Sequence, residues 1–303
     1  MDSEPLAANR VSLGKVLAAT DFSSISEKAL HHAISVARRY RAKFYIVHVI
    51  SSWGFNVAGY DSAVEASKLA YKDLEELVSR LAQSGALKDV DHEIAVPIGD
   101  FWEELRRFAR AHEIDLIVLG THGYAGMDKL VMGSVTETVF RYAARPVLTV
   151  GPCVPDTTSI TSTRHHVVFP TDFSAASVVA LPYAASIAKE HGARLTLLHV
   201  AEHQRSDSML LGIDELDAVA ERLRRLAEGL LASGHNVQVE PLCGSVVASI
   251  VDFTRKHDAD LLVMGLKSPP EFFADRRPWL HAYAIVSEAC CPVLTVRDAR
   301  PDR

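Results

Sequence analysis

The chain repeats itself. Lys15–Ser23 reads KVLAATDFS and His166–Ser174 reads HVVFPTDFS, which puts Asp21 and Asp172 at an offset of 151 residues. The same offset carries His48-Val49 onto His199-Val200, so the first strand–helix–strand unit aligns without a gap. Leu105, Phe108, His112 and Asp115 then recur as Ile250, Phe253, His257 and Asp260 at an offset of 145, and Gly99 and Gly120 recur as Gly244 and Gly265. Arg145–Val150 matches Cys291–Val296 at 146. Landmarks repeated in this order identify a duplication, so whatever the first half folds into must be built twice. With 303 residues, and ~150 per domain, two domains are expected. Gly151–Arg164, GPCVPDTTSITSTR, has two prolines, a Ser/Thr run and no periodicity, and reads as a linker. The boundary falls near residue 157, giving domains 1–156 and 157–303.

Each copy alternates two kinds of segment. In the first, Lys15–Thr20, Lys43–Val49, Glu93–Val96, Leu116–Gly120 and Val147–Val150 are short apolar runs, as expected of strands covered on both faces. Helical patterns lie between them: one opening at a capping box, Ser24-Ile25-Ser26-Glu27, and ending near Tyr40, then Ala63–Ser84, Asp100–His112 and Ser134–Ala143. The alternation predicts an α/β fold of two tandem doubly wound, five-stranded parallel sheets, order 3-2-1-4-5, with helices on both faces. In such sheets ligands bind at the carboxyl ends of the strands where the winding reverses. That crevice lies between the first strand, ending at Asp21, and the fourth, ending at Gly120. The strands closing each copy offer edges for pairing.

Composition narrows the function. Lys plus Arg is 32 and Asp plus Glu is 38, a formal charge of 32 − 38 = −6, which argues against a broad grip on nucleic acid or an anionic membrane. The N-terminal MDSEPLAANR has no apolar signal core, and the longest apolar stretch, Val178–Ala188, is too short to span a bilayer. Cys153, Cys243, Cys290 and Cys291 form no CxxC pair and read as reduced thiols of a cytoplasmic protein. The 14 histidines show no zinc spacing, so they are expected to be structural or exposed and no metal site is expected.

After the fourth strand comes GTHGYAGMDKLVMGSV, with Gly120, two residues, Gly123, nine residues, then Gly133-Ser134. Glycines leading from a strand into a helix start can aim several backbone N–H groups at one point, and the helix terminus adds partial positive charge. The plainer reading is a tight turn, a loop glycine and an ordinary N-cap; placement at the switch point favours a ligand site. This is neither a Walker A loop nor GxGxxG, and no catalytic residue stands out.

The compound pattern resembles the universal stress protein family in its tandem form. The resemblance is carried by the G-2x-G-9x-G-[ST] spacing, by TDFS, by His48-Val49 and by Arg145-Pro146-Val147, and it covers roughly residues 12–150 and 164–297. It implies an adenine nucleotide alpha hydrolase-like fold and ATP, with Mg²⁺, in the first copy. Carried over by residue, Ala19, Thr20 and Asp21 would line the adenine and ribose end, with Val49 against the base. Gly99 and Leu119 would flank base or sugar. Gly120, Gly123, Gly133, Ser134 and Val135 would hold the phosphates. A helix N-cap is the plainer role for Asp21, and the two roles are compatible. Related tandem proteins imply an internal pseudo-dimer; a homodimer is the other possibility.

The second copy departs from this. Gly265 matches Gly120, but Ser268 stands in place of Gly123, and Pro278-Trp279 or Trp279-Leu280 in place of Gly133-Ser134. Proline has no N–H and Trp279 would fill phosphate space, so this copy is expected to bind ATP weakly or not at all, while Asp172 and Val200 keep an adenine-side pocket. Arg276 and Arg277 read as a solvated basic turn. Phe272, Phe273 and Trp279 fit either an apolar ligand or a partner. The expected function is an ATP-binding stress-response regulator that signals through a protein partner, with neither membrane nor nucleic acid. A slow ATPase is the main rival, and it lacks a Walker lysine, a general base and an arginine finger. A scaffold or apolar-ligand protein using the second copy is the third reading.

Overall fold

A computed structural model describes residues 11–51, 60–121, 134–155, 165–202, 209–267 and 277–297. The chain divides into two compact units, one Ser12–Pro152 and the other Cys153–Arg303 together with Met1–Val11.

In the first unit the order is β1 (Lys15–Ala19), α1 (Ser24–Tyr40), β2 (Lys43–Val47), β3 (Ile50–Ser51), α2 (Tyr60–Gln83), β4 (His92–Ala95), β5 (Ile98–Gly99), α3 (Phe101–Ala111), β6 (Leu116–Gly120), α4 (Ser134–Tyr142) and β7 (Val147–Val150). The second has β8 (His166–Pro170), α5 (Ala175–Glu190), β9 (Arg194–Ala201), α6 (Met209–Ala232), β10 (Asn236–Cys243), α7 (Val246–Lys256), β11 (Leu261–Leu266), α8 (Arg277–Glu288) and β12 (Val293–Arg297). Within the units the strands run β4-β2-β1-β6-β7 and β10-β9-β8-β11-β12, every pair parallel. Both are therefore doubly wound sheets of order 3-2-1-4-5, as the alternation predicts.

The central strands are apolar because helices cover both faces. Val16, Leu17 and Ala18 of β1 and Val118 of β6 are fully buried. α1 lays Ala29, Leu30, Ala33, Ile34 and Ala37 on one face of the sheet. Leu105 and Ala109 of α3 and Val139 of α4 join Leu17, Val47 and Leu119 in the core on the other. The repeated aspartates have a structural task here. The Asp115 carboxylate accepts from the N–H groups of Gly14 and Lys15 at 2.8 and 3.0 Å, and Asp260 accepts from His166 at 2.8 Å, so each ties the fourth strand to the start of the first. His112 stacks on Phe108 and His257 packs tilted against Phe253, with ring centroids 4.1 and 4.2 Å apart.

Two expectations are corrected. The cap of α1 is Ser23, whose hydroxyl accepts from the N–H of Ser26, so the helix starts at Ser24 rather than being capped by it. The second strand stops at Val47 instead of Val49 and resumes as β3 against β5. Across the gap the N–H groups of His48 and Ile50 still donate to Ala95 and Pro97. Pro97 has no hydrogen to donate back, and that interrupts the ladder. Leu242 holds that place in the second copy, where β9 and β10 pair without a break.

The glycine ending the fourth strand matters for packing. A Cβ on Gly265 would lie 2.2 Å from the backbone oxygen of Ala176, and one on Gly120 about 3.0–3.2 Å from Ile25. Gly265→Ala is therefore expected to destabilise its unit by about 1–3 kcal/mol, and Gly120→Ala by less, as read by urea denaturation. Burial within α1, with lesser contributions from His31 and Lys28, lowers the His32 imidazole to about 4. The unfolded chain then binds more protons than the folded one between about pH 6.5 and 4. Stability is expected to be complete above that window and to fall as pH drops through it; His32→Leu flattens this slope in pH-dependent denaturation.

Candidate functional site at the strand ends

β1 and β8 each end in the same tight construction. After β1, the N–H of Thr20 donates to Val47, that of Phe22 to the Thr20 hydroxyl at 3.0 Å, and that of Ser23 to Asp21 Oδ1 at 3.1 Å. The Ser23 hydroxyl also donates to Asp21 Oδ1, at 2.6 Å. This folds the chain back so sharply that Phe22 adopts φ 64°, and Phe173 in the second copy φ 58°, a left-handed backbone that aromatic residues rarely accept. Asp21 thus orients the capping serine rather than capping α1 itself. His48 then closes over the turn, with Nδ1 2.8 Å from the Thr20 carbonyl and its ring 4.6 Å from Phe22; His199, Thr171 and Phe173 repeat this at 2.7 and 4.8 Å.

Around this turn in the first copy, Ala19 and Leu119 are buried in the core and Val49 packs partly against it. Gly99 ends β5, where a Cβ would strike Glu104 at 2.7 Å. Gly120 ends β6, and its carbonyl accepts a hydrogen bond from the hydroxyl of Thr136 at 2.7 Å. Thr136 is the third residue of α4, so this bond fixes the helix's first turn beside the strand end. Ser134 opens that helix and Val135 is exposed. Gly123 and Gly133 lie outside the described residues, as does His122. Asp21 and Phe22 also border an open groove of about 670 Å³ with Asp73, Glu76 and Arg80 of α2.

The second copy has a hollow over its own strand ends. About 410 Å³ lies over Thr171, Asp172, His199, Val200 and Gly265, with α7 and α8 behind. Asp172 Oδ1 accepts from the Ser174 N–H at 3.0 Å and from the Ser177 hydroxyl at 2.8 Å, and Oδ2 meets Lys267 Nζ at 3.0 Å. Burial alone would raise this carboxyl, but Ser174, Lys267 and Ser177 together outweigh it and hold the group well below the usual carboxylate range.

The buried faces of the two copies fix which residues stand in for the glycine and serine. Val139, Phe140 and Ala143 of α4 and Ile285, Val286 and Ala289 of α8 are buried alike at an offset of 146, so Trp279-Leu280 occupies the place of Gly133-Ser134 and Ala282 that of Thr136. The hydroxyl tie to the strand end is lost with it. Ser268, Phe272, Phe273 and Arg276 lie outside the described residues, and of Arg277, Pro278 and Trp279 only the backbone is described, in α8. Thr136, Ser177 and Lys267 escape sequence reasoning: two are hydroxyls inside helices, and Lys267 holds the position of His122. Among the described residues no group of three His, Cys, Asp or Glu could hold a metal, and no described helix is long and apolar enough to cross a membrane.

Removing Lys267 should let the Asp172 carboxyl rise towards its ordinary value. Native stability resting on that carboxylate is present above the unfolded value and is lost as pH falls through the folded one. In Lys267→Met that loss is expected at higher pH, with the Asp172 carboxyl resonance titrating at higher pH in NMR.

Comparison with known proteins agrees with this architecture. The universal stress protein family model matches residues 13–151 and again 163–297. The universal stress protein MJ0577 of Methanocaldococcus jannaschii is 30% identical over 151 residues, 45% of this chain and 93% of that protein. A putative universal stress protein of Staphylococcus aureus is 35% identical over 141 residues, 45% of this chain and 82% of its own length. The crystal structure of a universal stress protein from Archaeoglobus fulgidus superposes with a TM-score of 0.71 at 20% identity, covering 97% of this chain and all of that one. The two sheets, their repeated turns and both family matches lead to one conclusion: the chain is a tandem two-domain member of the universal stress protein family.

Proposed function

We propose that the protein is a cytoplasmic, ATP-binding stress-response regulator whose nucleotide sits in the N-terminal domain, residues 1–156, while domain 157–303 binds ATP weakly or not at all. The observation that carries this reading is the 2.7 Å bond from Thr136 to the Gly120 carbonyl. It holds the first turn of α4, whose leading N–H groups have no partners within the helix, beside the end of β6 at the switch point. The residues present suit a nucleotide there. Ala19 and Leu119, buried through their side chains, would serve through their backbones, Thr20 and Asp21 would face the ribose end, and Val49 and Gly99 would flank the base. Gly120, Gly123, Gly133, Ser134 and Val135 would supply the phosphate cradle, with Mg²⁺ offsetting phosphate charge.

In the second domain Leu280 and Ala282 take the places of Ser134 and Thr136, which removes both hydroxyls. The duplication supports an arrangement of the copies as an internal pseudo-dimer, and signalling would run through a protein partner. The chain's own residues favour retention over turnover: no lysine or arginine is dedicated to a terminal phosphate in the glycine-loop sequence pattern.

A Gly133→Val/Ser134→Ala chain is expected to lose ATP affinity at least about 100-fold by calorimetry while keeping its unfolding midpoint, and Trp279→Ala to leave it unchanged. Unaltered affinity in the double variant would refute the assigned site. A single-turnover assay with γ-labelled ATP is expected to return intact ATP at one equivalent; release of labelled phosphate would make the protein a slow ATPase instead.

A further inference from the structure

Two cysteines of the second unit lie within the field of one arginine, at the end of the sheet opposite the crevice. Arg255 is in the last turn of α7, and Cys290 stands between α8 and the start of β12, so both sit at the amino ends of the strands. Arg255 Nη2 is 3.9 Å from Cys290 Sγ, while Nη1 of the same guanidinium meets Asp252 Oδ1 at 3.6 Å. The Cys290 thiol also reaches the Glu288 carbonyl, at 4.0 Å. Cys290 is half-buried, and Cys153, which follows β7 and belongs to the same compact unit, is exposed. The Arg255 guanidinium is raised above its ordinary value first by Cys290, against some opposition from burial, and then by Asp252 and Cys153. The first copy has Arg110 and Ala144 at the corresponding places, so it keeps the cation without a thiol beside it.

The other two cysteines are set apart. Cys291 is only 2% exposed, and burial, with Cys290 and Asp260 adding to it, pushes its thiol up to about 12, so it stays protonated and unreactive. Cys243 ends β10 at the far edge of this unit's sheet. In the order β10-β9-β8-β11-β12 it is four strand spacings from β12, roughly 19 Å at ~4.8 Å each, and at the opposite end of the strands.

We propose that Cys290 and Cys153 form a dithiol site oxidised by hydrogen peroxide, with Cys290 reacting first and Cys153 resolving it. The attacking form of a cysteine is its thiolate, and Arg255 supplies the cation beside the sulfur that reacts first. The Cys290 sulfur forms a bond to one peroxide oxygen, the O–O bond breaks, and hydroxide leaves; Cys290 is oxidised to the sulfenic acid and the peroxide is reduced. The Cys153 thiolate then attacks that sulfur, the S–S bond forms, the S–O bond breaks, and the second hydroxide leaves as water once protonated. In sum, two thiols and one peroxide give one disulfide and two waters. The site uses no residue of the strand-end crevice and does not depend on nucleotide binding.

The test treats the reduced full chain with equimolar hydrogen peroxide and digests it without reduction. The expected product by mass spectrometry is a peptide pair joined at Cys153 and Cys290 within one chain, which dithiothreitol separates. In Cys153→Ser the cross-link is expected to be lost and dimedone to trap the sulfenic acid at Cys290, with Cys243, also exposed, labelled at most about one-tenth as fast. Arg255→Met replaces a side chain that is 60% exposed, so the unfolding midpoint is expected to hold while Cys290 oxidation slows about 10-fold. The proposal is overturned if no Cys153–Cys290 cross-link forms, if it joins two chains, if Cys243 is labelled as readily as Cys290, or if Arg255→Met oxidises at an unchanged rate.

Discussion

A missing side chain at the end of the fourth strand governs how each sheet is closed. At Gly265 the backbone of α5 comes so near that a methyl group would lie 2.2 Å from the oxygen of Ala176. At Gly120 the corresponding approach by Ile25 of α1 is tight but less severe. The helix that follows the first strand can therefore seat its opening turn on the fourth strand, and the two strand ends of the switch point come together beneath it. A larger residue there would push the helix off the sheet, and with it the Thr-Asp-Phe-Ser turn that both copies repeat.

That turn binds the ends to one another. Threonine and aspartate side chains satisfy the backbone of the residues two positions on, which lets phenylalanine stay in a left-handed conformation that isolated chains avoid. The histidine after the second strand closes the construction in both copies. Residues that mark the family resemblance are thus also what fixes the turn at the strand ends.

From this shared frame the two copies diverge by a few substitutions. In the first, Phe101 packs against the core beside Leu105 and Thr136 fixes the helix start to Gly120. In the second, Val246 and Ala282 line a cavity of about 410 Å³, and Lys267 closes an ion pair over Asp172. One copy therefore ties its helix start to the strand end, and the other leaves a cavity beside an ion pair. Duplication allowed this, since each sheet buries its own core and the ends of its strands can change without unfolding the other.

The duplication, the strand–helix alternation and the order 3-2-1-4-5 were legible in the sequence because they follow from hydrophobic period and chirality, which are local. The place of the crevice followed from that topology. The interruption of β2 opposite Pro97 was not legible, since it depends on which residue faces the proline across a ladder. Nor was the choice of Trp279-Leu280 as the counterpart of Gly133-Ser134, which needed the buried faces of α4 and α8 to fix the register. Lys267 and Thr136 gained their partners only through tertiary structure. Sequence spacing sets which residues lie on one element, whereas an ion pair or a cavity depends on distances between elements, and only the packed fold determines those.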